Sequence, residues 1–273
     1  MRPVADSGLI AELALVVGSR QEATWIVEHA DDPAEARTIA RRRAAGEPLQ
    51  YLLGTWPFRS LELEIDARAL IPRPETEQTV DAALTRWRAT RPGGGGLWIV
   101  DLGTGSGAIG LSLATELADE TPVESLVLTD RSAAALELAT ANASRLGVDA
   151  ELHLGSWGDA VPTSSRGRFH LLVSNPPYIA AEVRLTLDPV LDHEPAEALV
   201  SPAGTDGTPG FGDVETVLEH AWWLLAPGGV VTIEMAEHQV DAALRLAATL
   251  GFVDPQGFAD LAQHPRGITA VRP

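Results

Sequence analysis

Short apolar runs alternate with segments of helical periodicity from residue 97 to residue 271. The runs that predict strands are 97–100, 126–128, 152–154, 169–173, 230–233 and 268–271. The segments that predict helices are 108–117, 133–146, 214–225 and 240–250. Alternation of strand and helix is typical of a mainly parallel sheet with helices on both faces. The sequence therefore predicts an α/β fold with a doubly wound sheet.

The residues before this alternation predict a separate helical unit. Residues 8–45 carry apolar side chains at helical spacing, and Asp31-Asp32-Pro33 reads as a break followed by a proline in a first helical turn. Gly46-Glu47-Pro48 ends the periodic stretch. We predict a small N-terminal helical domain over residues 1–54.

A hairpin and a linker helix are predicted between the two units. Trp56-Pro57-Phe58 and the alternating residues 61–65 indicate a short hairpin. An extended segment with two prolines, residues 71–77, leads into a helix to about residue 88 and is compatible with a rigid linker. Four glycines at 93–96 read as a hinge. We assign residues 55–92 to the hairpin and linker and residues 93–273 to the α/β domain.

The composition excludes several kinds of protein. The chain has 273 residues, 45% hydrophobic residues, a mean hydropathy of +0.04 and no cysteine. Disulfides, thiolate metal sites and cysteine nucleophiles are therefore excluded. No apolar run approaches the roughly 18 residues of a membrane span, and residues 1–6 are followed by no signal-peptide core. We expect a cytoplasmic protein without membrane association and without a metal cofactor.

The charge argues against binding to long nucleic acid. The net charge is −18, and all 20 basic residues are arginine. Proteins that hold nucleic acid by its backbone need clustered positive charge. The one basic cluster, Arg41-Arg42-Arg43, lies in a helical stretch and reads as a solvated face. Stable binding to nucleic acid is not expected.

A glycine-rich loop joins the first predicted strand of the sheet to its helix. The loop is Asp101-Leu102-Gly103-Thr104-Gly105-Ser106-Gly107. Such loops let a ligand approach the backbone closely, and the following helix directs free N–H groups towards it. Nicotinamide, flavin and S-adenosylmethionine (SAM) sites share this feature. The Gly-x-Gly-x-Gly spacing and the nearby carboxylate of Asp101, suited to a ligand ammonium rather than a pyrophosphate, favour SAM.

Two further residues are candidates for the same cofactor site. Asp130 ends the second predicted strand, where a carboxylate can accept both ribose hydroxyls of a nucleoside; the alternative is an N-cap for the next helix. Trp157 follows the third strand and is a candidate to stack on adenine, with a place in the hydrophobic core as the alternative.

The sequence Asn175-Pro176-Pro177-Tyr178 directly follows the apolar run 169–173 and Ser174. The prolines end the strand abruptly and hold the polar asparagine at its carboxyl end, where open α/β sheets bind ligands. An amide, a stiff backbone and an aromatic ring suit a planar group that carries NH2. Residues 180–212 are rich in proline and glycine and predict a long irregular segment over this site.

Together these residues resemble a class I SAM-dependent methyltransferase. More narrowly, the chain resembles the HemK/PrmC family of protein-(glutamine-N5) methyltransferases, which modify peptide chain release factors. Beyond the two motifs above, the resemblance rests on residues 46–54 (GEPLQYLLG), 71–77 (IPRPETE) and 193–199 (HEPAEAL). It runs from about residue 22 to the C-terminus. Residues 208–212 and Ala236 depart from the family pattern.

The resemblance implies a fold, a site and a reaction. The fold is a Rossmann-like seven-stranded class I methyltransferase sheet with a small helical N-terminal domain, which is the candidate for docking the substrate, joined by a β-hairpin. The substrate is the glutamine of the Gly-Gly-Gln (GGQ) motif of release factors, and the cofactor SAM leaves as S-adenosylhomocysteine. The implied cofactor site, with Asp101 added from the argument above, is Asp101, Gly103, Thr104, Gly105, Ser106, Gly107, Asp130, Trp157 and Asn175. The implied catalytic and substrate-binding residues are Asn175, Pro176, Pro177 and Tyr178.

The implied mechanism is positional. The Asn175 side-chain oxygen and the Pro176 backbone carbonyl accept the two N–H bonds of the substrate amide, and Tyr178 packs on the amide plane. Three alternatives stay open at this stage. They are an adenine-N6 methyltransferase of nucleic acids, which shares the Asn-Pro-Pro-Tyr sequence, an N-methyltransferase of another protein or small molecule, and a SAM-binding protein without catalysis.

Overall fold

The structure, a computed structural model, describes residues 7–90 and 95–273. Residues 1–6, which bear on the signal-peptide expectation, lie outside the described residues. So do residues 93 and 94 of the predicted hinge and the proposed boundary between residues 92 and 93. The division into domains at residues 54 and 92 stays a prediction.

Within the described residues, helices and strands occupy most of the predicted positions. The α-helices are α1 Ser7–Val17, α2 Arg20–His29, α3 Pro33–Ala44, α4 Leu49–Leu53, α5 Thr76–Thr90, α6 Ala108–Leu117, α7 Ala133–Leu146, α8 Ala181–Arg184, α9 Gly212–Leu224 and α10 Val240–Leu250. The strands are β1 Thr55–Phe58, β2 Leu61–Glu64, β3 Leu97–Leu102, β4 Val123–Asp130, β5 Glu151–Leu154, β6 Phe169–Ser174, β7 Leu225–Glu234, β8 Val253–Ala259 and β9 Pro265–Val271. Short 3-10 turns interrupt the segment between β6 and α9.

The N-terminal helices are set by their caps and by a core of their own. The Ser19 side chain accepts from the Glu22 N–H at the start of α2, and Asp32 caps α3 with Pro33 in its first turn. Leu13 and Ile26 are fully buried in the cluster that these helices share. The short helix α4 was not predicted; it ends at Gly54 in the left-handed conformation.

The strands β1 and β2 form the expected antiparallel hairpin, with Trp56 opposite Leu63. Alternation places Leu61 and Leu63 inward and exposes Glu62. The inward side chains join the hydrophobic cluster that also contains residues of α5 and α6. The hairpin therefore packs on the same face of the large sheet as these two helices.

The large sheet has seven strands in the order β5-β4-β3-β6-β7-β9-β8. The strands β3 to β7 are parallel to one another. The strand β9 runs antiparallel to both β7 and β8. From β3 the chain continues to β4 on one side, and β6 lies on the other side. This reversal of strand order creates a crevice at the carboxyl ends of β3 and β6, the usual ligand site of such sheets.

Alternate side chains of the sheet enter two separate cores. Along β3, Ile99 packs with α5 and α6, whereas Val100 packs with α9 and α10. Both residues have no exposed surface. Burial on both faces explains the nearly continuous apolar runs of the sequence.

Strand β8 was missed by the sequence patterns, and β7 starts five residues earlier than predicted, at Leu225 rather than Val230. In β8 the first two residues are exposed and Pro255 follows them. Since β8 pairs only with β9 at the edge of the sheet, proline and polar side chains are tolerated there. An edge strand of this kind has no apolar signal.

Residues 7–90 and 95–273 contain no helix long and apolar enough to cross a membrane. They also contain no group of three or more acidic, histidine or cysteine side chains that could hold a metal ion.

Candidate active site

The predicted glycine loop and the Asn-Pro-Pro-Tyr segment follow neighbouring strands, β3 and β6, and meet at one cleft. The cleft encloses about 990 Å3, including the part open to solvent. Its wall includes Gly103, Gly105, Asp130, Trp157 and Asn175. The tertiary structure thus brings together most residues predicted to contact the cofactor.

The glycine loop needs its glycines for conformation and for space. Gly103, Gly105 and Gly107 have φ angles of +72°, +56° and +87°, a region that other residues rarely adopt. A Cβ on Gly103 would lie 2.7 Å from Cζ3 of Trp157. Gly107 precedes the first residue of α6 and does not line the cleft. Gly107 is the N-cap of this helix, and its contact with the cofactor stays a prediction.

Asp101 lies beneath the loop rather than in the wall of the cleft. It is only 1% exposed, and its Oδ2 accepts from the Thr104 hydroxyl at 2.7 Å and from the Gly110 N–H at 3.0 Å. Burial raises the pKa of Asp101 to about 6. Its Oδ1 atom has no hydrogen-bond partner among the described residues. Asp101 therefore fixes the loop, and contact of Oδ1 with a ligand ammonium stays a prediction.

Asp130 lies in the cleft wall and also supports the loop. One carboxylate oxygen accepts from the Gly105 N–H at 2.9 Å and the other from the Ser132 N–H at 2.9 Å. Burial raises the pKa of Asp130, against the lowering effect of these hydrogen bonds. The alternative role as an N-cap of α7 is wrong, because Ser132 caps that helix through the Ala135 N–H. The Arg131 N–H also acts on this carboxyl, so three backbone N–H groups face it. Contact of its remaining acceptor capacity with ribose hydroxyls stays a prediction.

Trp157 lies between the cleft and the hydrophobic core, and its stacking on adenine stays a prediction. Its ring lines the cleft beside Gly103 and also packs against the core beneath α9. The residue has a φ of +46°, an unusual conformation for a tryptophan. The next N–H, of Gly158, donates to Nδ1 of His220 at 2.9 Å, which holds this turn.

A second cavity of about 470 Å3 adjoins the cleft on the side of the Asn-Pro-Pro-Tyr segment. Pro176 and Tyr178 line this second cavity, whereas Pro177 lines the cleft. Asn175 belongs to both walls. The asparagine therefore lies between the two cavities.

The amide of Asn175 is oriented by helix α5. Its Nδ2 group donates to the Thr76 hydroxyl at 3.2 Å. Its Oδ1 atom has no hydrogen-bond partner within residues 7–90 and 95–273. Ser174, one residue earlier, donates to the Leu102 carbonyl at 2.6 Å and links the ends of β6 and β3. The asparagine thus keeps a free acceptor at a fixed position.

The backbone of Tyr178 is held by residues that the sequence patterns did not single out for this role. The Gln239 amide donates to the Tyr178 carbonyl at 3.0 Å and to the Pro209 carbonyl at 2.8 Å. A Cβ on Gly210 would lie 2.3 Å from the same Tyr178 oxygen. Residues 208–212, which depart from the family pattern, therefore support the backbone of the Asn-Pro-Pro-Tyr segment.

Arg73 and Asn142 are further residues of the site region whose roles sequence reasoning missed. Arg73 lines both cavities and pairs with Glu194, so residues 71–77 wall the site rather than only linking two units. The buried Asn142 of α7 accepts from the Glu64 N–H at 2.7 Å and donates to the Ser106 carbonyl at 2.9 Å. It ties the hairpin to the glycine loop. Neither contact leaves a periodic signal in the sequence.

The shape and polar groups of the cleft fit a nucleoside that carries an amino acid. Positive-φ glycines at the loop leave room for close approach, the Asp130 carboxylate lies at the end of β4, and an indole faces the same space. The Oδ1 atom of Asp101, beneath the loop, is a buried acceptor without a partner among the described residues. The indole suits adenine, the Asp130 carboxylate suits ribose, and the Asp101 oxygen suits an ammonium.

Comparison with solved structures gives the class. The chain aligns with an rRNA methyltransferase of T. thermophilus solved with AdoMet and guanosine, at a TM-score of 0.53 and 17% identity, covering 80% of this chain and 50% of that one. A methyltransferase from Pyrococcus furiosus aligns at a TM-score of 0.50 and 18% identity, covering 78% and 90%. Residues 95–193 match the model of the methyltransferase small domain. The fold is that of a class I methyltransferase.

Comparison of sequences narrows this class. A release factor glutamine methyltransferase of Bordetella pertussis is 37% identical over 95% of this chain and 92% of its own length. That of Burkholderia pseudomallei is 37% identical over 89% and 84%, and that of Vibrio cholerae 35% over 97% and 88%. The chain belongs to the release factor glutamine methyltransferase family.

Proposed function

We propose that this protein transfers the methyl group of SAM to the side-chain amide nitrogen of the glutamine in the GGQ motif of peptide chain release factors. The observation that carries the proposal is the position of Asn175. It lies in the shared wall of the two cavities, with its amide NH2 engaged by Thr76 and its oxygen free. The names of the relatives supply the substrate. A release-factor substrate also places the reaction in the cytoplasm.

The cleft is the proposed SAM site. Gly103, Thr104, Gly105 and Ser106 would take the amino acid end, Asp130 the ribose hydroxyls, and the ring of Trp157 the adenine, all of them lining the cleft. SAM, when bound, supplies a methyl group activated by its sulfonium. The proposal involves no metal, because the amide substrate needs orientation rather than a Lewis acid.

The second cavity is the proposed site of the glutamine side chain. The Asn175 Oδ1 atom and the Pro176 carbonyl accept the two amide N–H groups, and Tyr178 packs on the amide plane; all three residues line this cavity. Two N–H bonds held in this way fix the plane of the substrate amide, so that the nitrogen lone pair faces the methyl group of SAM. Pro177, on the cleft side, keeps the backbone between the two sites rigid.

Positioning is enough to account for much of the rate. Orientation of two bound reactants contributes roughly 7–11 kcal/mol. An unsatisfied buried polar group costs roughly 1–3 kcal/mol, so a ligand without two donors leaves the acceptors unpaired and is rejected. Esters and carboxylates are therefore poor substrates.

No side chain of the site needs to act as a strong base. The nitrogen becomes far more acidic as it gains the methyl group and loses its proton to solvent. Burial raises the pKa of Tyr178 to about 12, so its hydroxyl stays neutral at physiological pH. The role of Tyr178 is therefore packing rather than proton transfer.

The experiment is mass spectrometry of a release factor after incubation with the protein and SAM. We expect a gain of one methyl group on the GGQ glutamine, absent when that glutamine is replaced by alanine. Asn175→Ala should lower turnover roughly a hundredfold while the SAM dissociation constant stays within a fewfold. No methylation despite SAM binding would refute the substrate, and normal turnover of Asn175→Ala would refute the amide clamp.

A further inference from the structure

A buried carboxylate lies behind the proposed clamp and does not touch either cavity. Glu234, the last residue of β7, is only 2% exposed. The strand β7 pairs with β6, and Ile233 lies opposite Ser174 in the register. The end of β7 is therefore beside the start of the Asn-Pro-Pro-Tyr segment. A carboxylate in such a place needs an explanation, because burial of its charge is costly.

Two hydroxyls of helix α5 reach this carboxylate. Thr79 donates to Oε2 of Glu234 at 3.0 Å. The Thr76 hydroxyl is close enough to the same carboxyl to lower its pKa by hydrogen bonding. The two threonines are three residues apart and so face the same side of the helix. The Thr76 hydroxyl also accepts a hydrogen bond from the NH2 group of Asn175 at 3.2 Å. The Thr76 hydroxyl therefore lies between the Glu234 carboxyl and the Asn175 amide and can join them in one chain of hydrogen bonds.

The direction of this chain follows from proton counting. An ionised carboxylate only accepts hydrogen bonds, and a hydroxyl has one proton to donate. When Thr76 gives its proton to Glu234, it is left as an acceptor on the side of Asn175. The amide must then present NH2 to Thr76 and its carbonyl oxygen elsewhere. That is the orientation in which Asn175 can accept an N–H of a substrate amide.

We propose that Glu234 is a positioning residue for methyl transfer, which acts through the Thr76 hydroxyl to hold the Asn175 amide with its oxygen free for the substrate. This inference rests on the proposed function. A neutral Glu234 can donate its proton to Thr76, and Thr76 can then donate to an inverted Asn175 amide. The inverted amide would present NH2 to the NH2 of the substrate, and the clamp would be lost.

The charge state of Glu234 is open to control by pH. Burial raises its pKa to about 7, opposed by the hydrogen bonds from Thr76 and Thr79. The charged and titratable groups that face it are Arg266 of β9, Glu75 before α5 and Tyr178 after β6; Arg266 lowers its pKa and Glu75 raises it. The inference therefore predicts that kcat falls as pH decreases below about 7, as the carboxylate takes up its proton.

Threonine variants separate the chain of hydrogen bonds from mere packing. Thr76→Val removes the hydroxyl at nearly constant volume and should lower kcat at pH 9 tenfold or more, with the KM for SAM within about twofold. Thr76→Ser restores the hydroxyl and should recover kcat to within about threefold. The matched control is Thr79→Val, which loses a hydroxyl to the same carboxylate but has no bond to Asn175. It should keep the wild-type kcat at pH 9.

Glu234→Gln tests the carboxylate itself. We expect the kcat of this variant to be reduced and nearly constant between pH 6 and pH 9, in place of the rise through about pH 7 in the wild type. A purely structural role would lower kcat without changing the shape of the pH profile. Wild-type kcat in Thr76→Val, or an unchanged pH profile in Glu234→Gln, would overturn the inference.

A measurement without turnover keeps the two proposals distinguishable. The side-chain NH2 resonances of Asn175, identified by their loss in Asn175→Asp, should titrate near pH 7 in the wild type and not in Glu234→Gln or Thr76→Val. If the wild type fails to methylate a release factor, the proposed function fails and this titration alone decides the positioning role. Absence of the titration in the wild type would overturn that role whatever the substrate.

Discussion

The carboxylate of Glu194 pairs with the guanidinium of Arg73, 121 residues earlier in the chain. The Glu194 side chain is 1% exposed, whereas Arg73 is about one third exposed and lines both cavities. Glu194 also accepts from the Ile71 N–H at 3.1 Å. The pair joins the segment before α5 to the irregular segment after β6, and so closes the site from one side.

Removal of this carboxylate should be costly. Glu194→Ala leaves the Ile71 N–H and the guanidinium without their buried partner. Because Arg73 is about one third exposed, the cost should be smaller than the roughly 3–5 kcal/mol of a fully buried pair. We expect a clear drop of the urea midpoint and a raised KM for the release factor. The control is Glu12→Ala, which breaks the exposed pair with Arg37 and should leave the urea midpoint almost unchanged. Equal effects of the two variants would contradict the closing role of Glu194.

The backbone of Tyr178 should be sensitive to one methyl group at Gly210. The φ of Gly210 is +66°, and a Cβ there would lie 2.3 Å from the Tyr178 oxygen. Gly210→Ala should lower kcat tenfold or more, because the clamp backbone must shift. Gly207→Ala is the matched control, since Gly207 has a φ of +86° and open space around its Cβ position. It should cost about 1 kcal/mol of stability and leave kcat unchanged; a similar loss of kcat in both variants would point to loop strain instead.

The approach of Trp157 to the glycine loop sets a prediction for cofactor affinity. In Gly103→Ala the added methyl group meets the indole at 2.7 Å, so the ring must leave its place in the cleft wall. We expect the SAM dissociation constant, measured by calorimetry, to rise tenfold or more. Gly147→Ala has a similar φ, +67° against +72°, but no neighbour within 4 Å, and should bind SAM normally. Normal binding by Gly103→Ala would mean that Trp157 is not a wall of the SAM site.

The buried charge of Glu234 should also appear in the pH dependence of stability. Its pKa in the folded protein is about 7 against an ordinary value of 4.5, so the folded state binds the proton more tightly than the unfolded chain. The contribution of Glu234 to stability is therefore full below about pH 4.5 and is lost as pH rises to about 7. Glu234→Gln removes this loss. Relative to the wild type, the variant should gain on the order of 2 kcal/mol between pH 5 and pH 8 in urea titrations; a constant difference would contradict the raised pKa.

The sequence by itself determined the class of fold and the two motifs of the site. Apolar runs on strands buried on both faces, and helices with clear caps, give strong local signals. The predicted starts and ends of α6, α7 and α10 agree with the structure. The glycine loop and the Asn-Pro-Pro-Tyr segment could be predicted because each directly follows an apolar run that predicts a strand. Edge strand β8 was not, since its side chains are mostly exposed and need no apolar pattern.

Only the tertiary structure decided which of these residues share a space. The loop and the Asn-Pro-Pro-Tyr segment meet because β6 lies beside β3 in the sheet. Local sequence patterns do not predict this strand order. The same holds for the contact of Thr76 with Asn175, and for the support of Tyr178 by Gln239 and Gly210. The tertiary structure also shows that Asp101 lies beneath the loop and not in the wall of the cleft. Local patterns report burial and backbone preference, whereas contacts between distant side chains depend on how strands are ordered and paired.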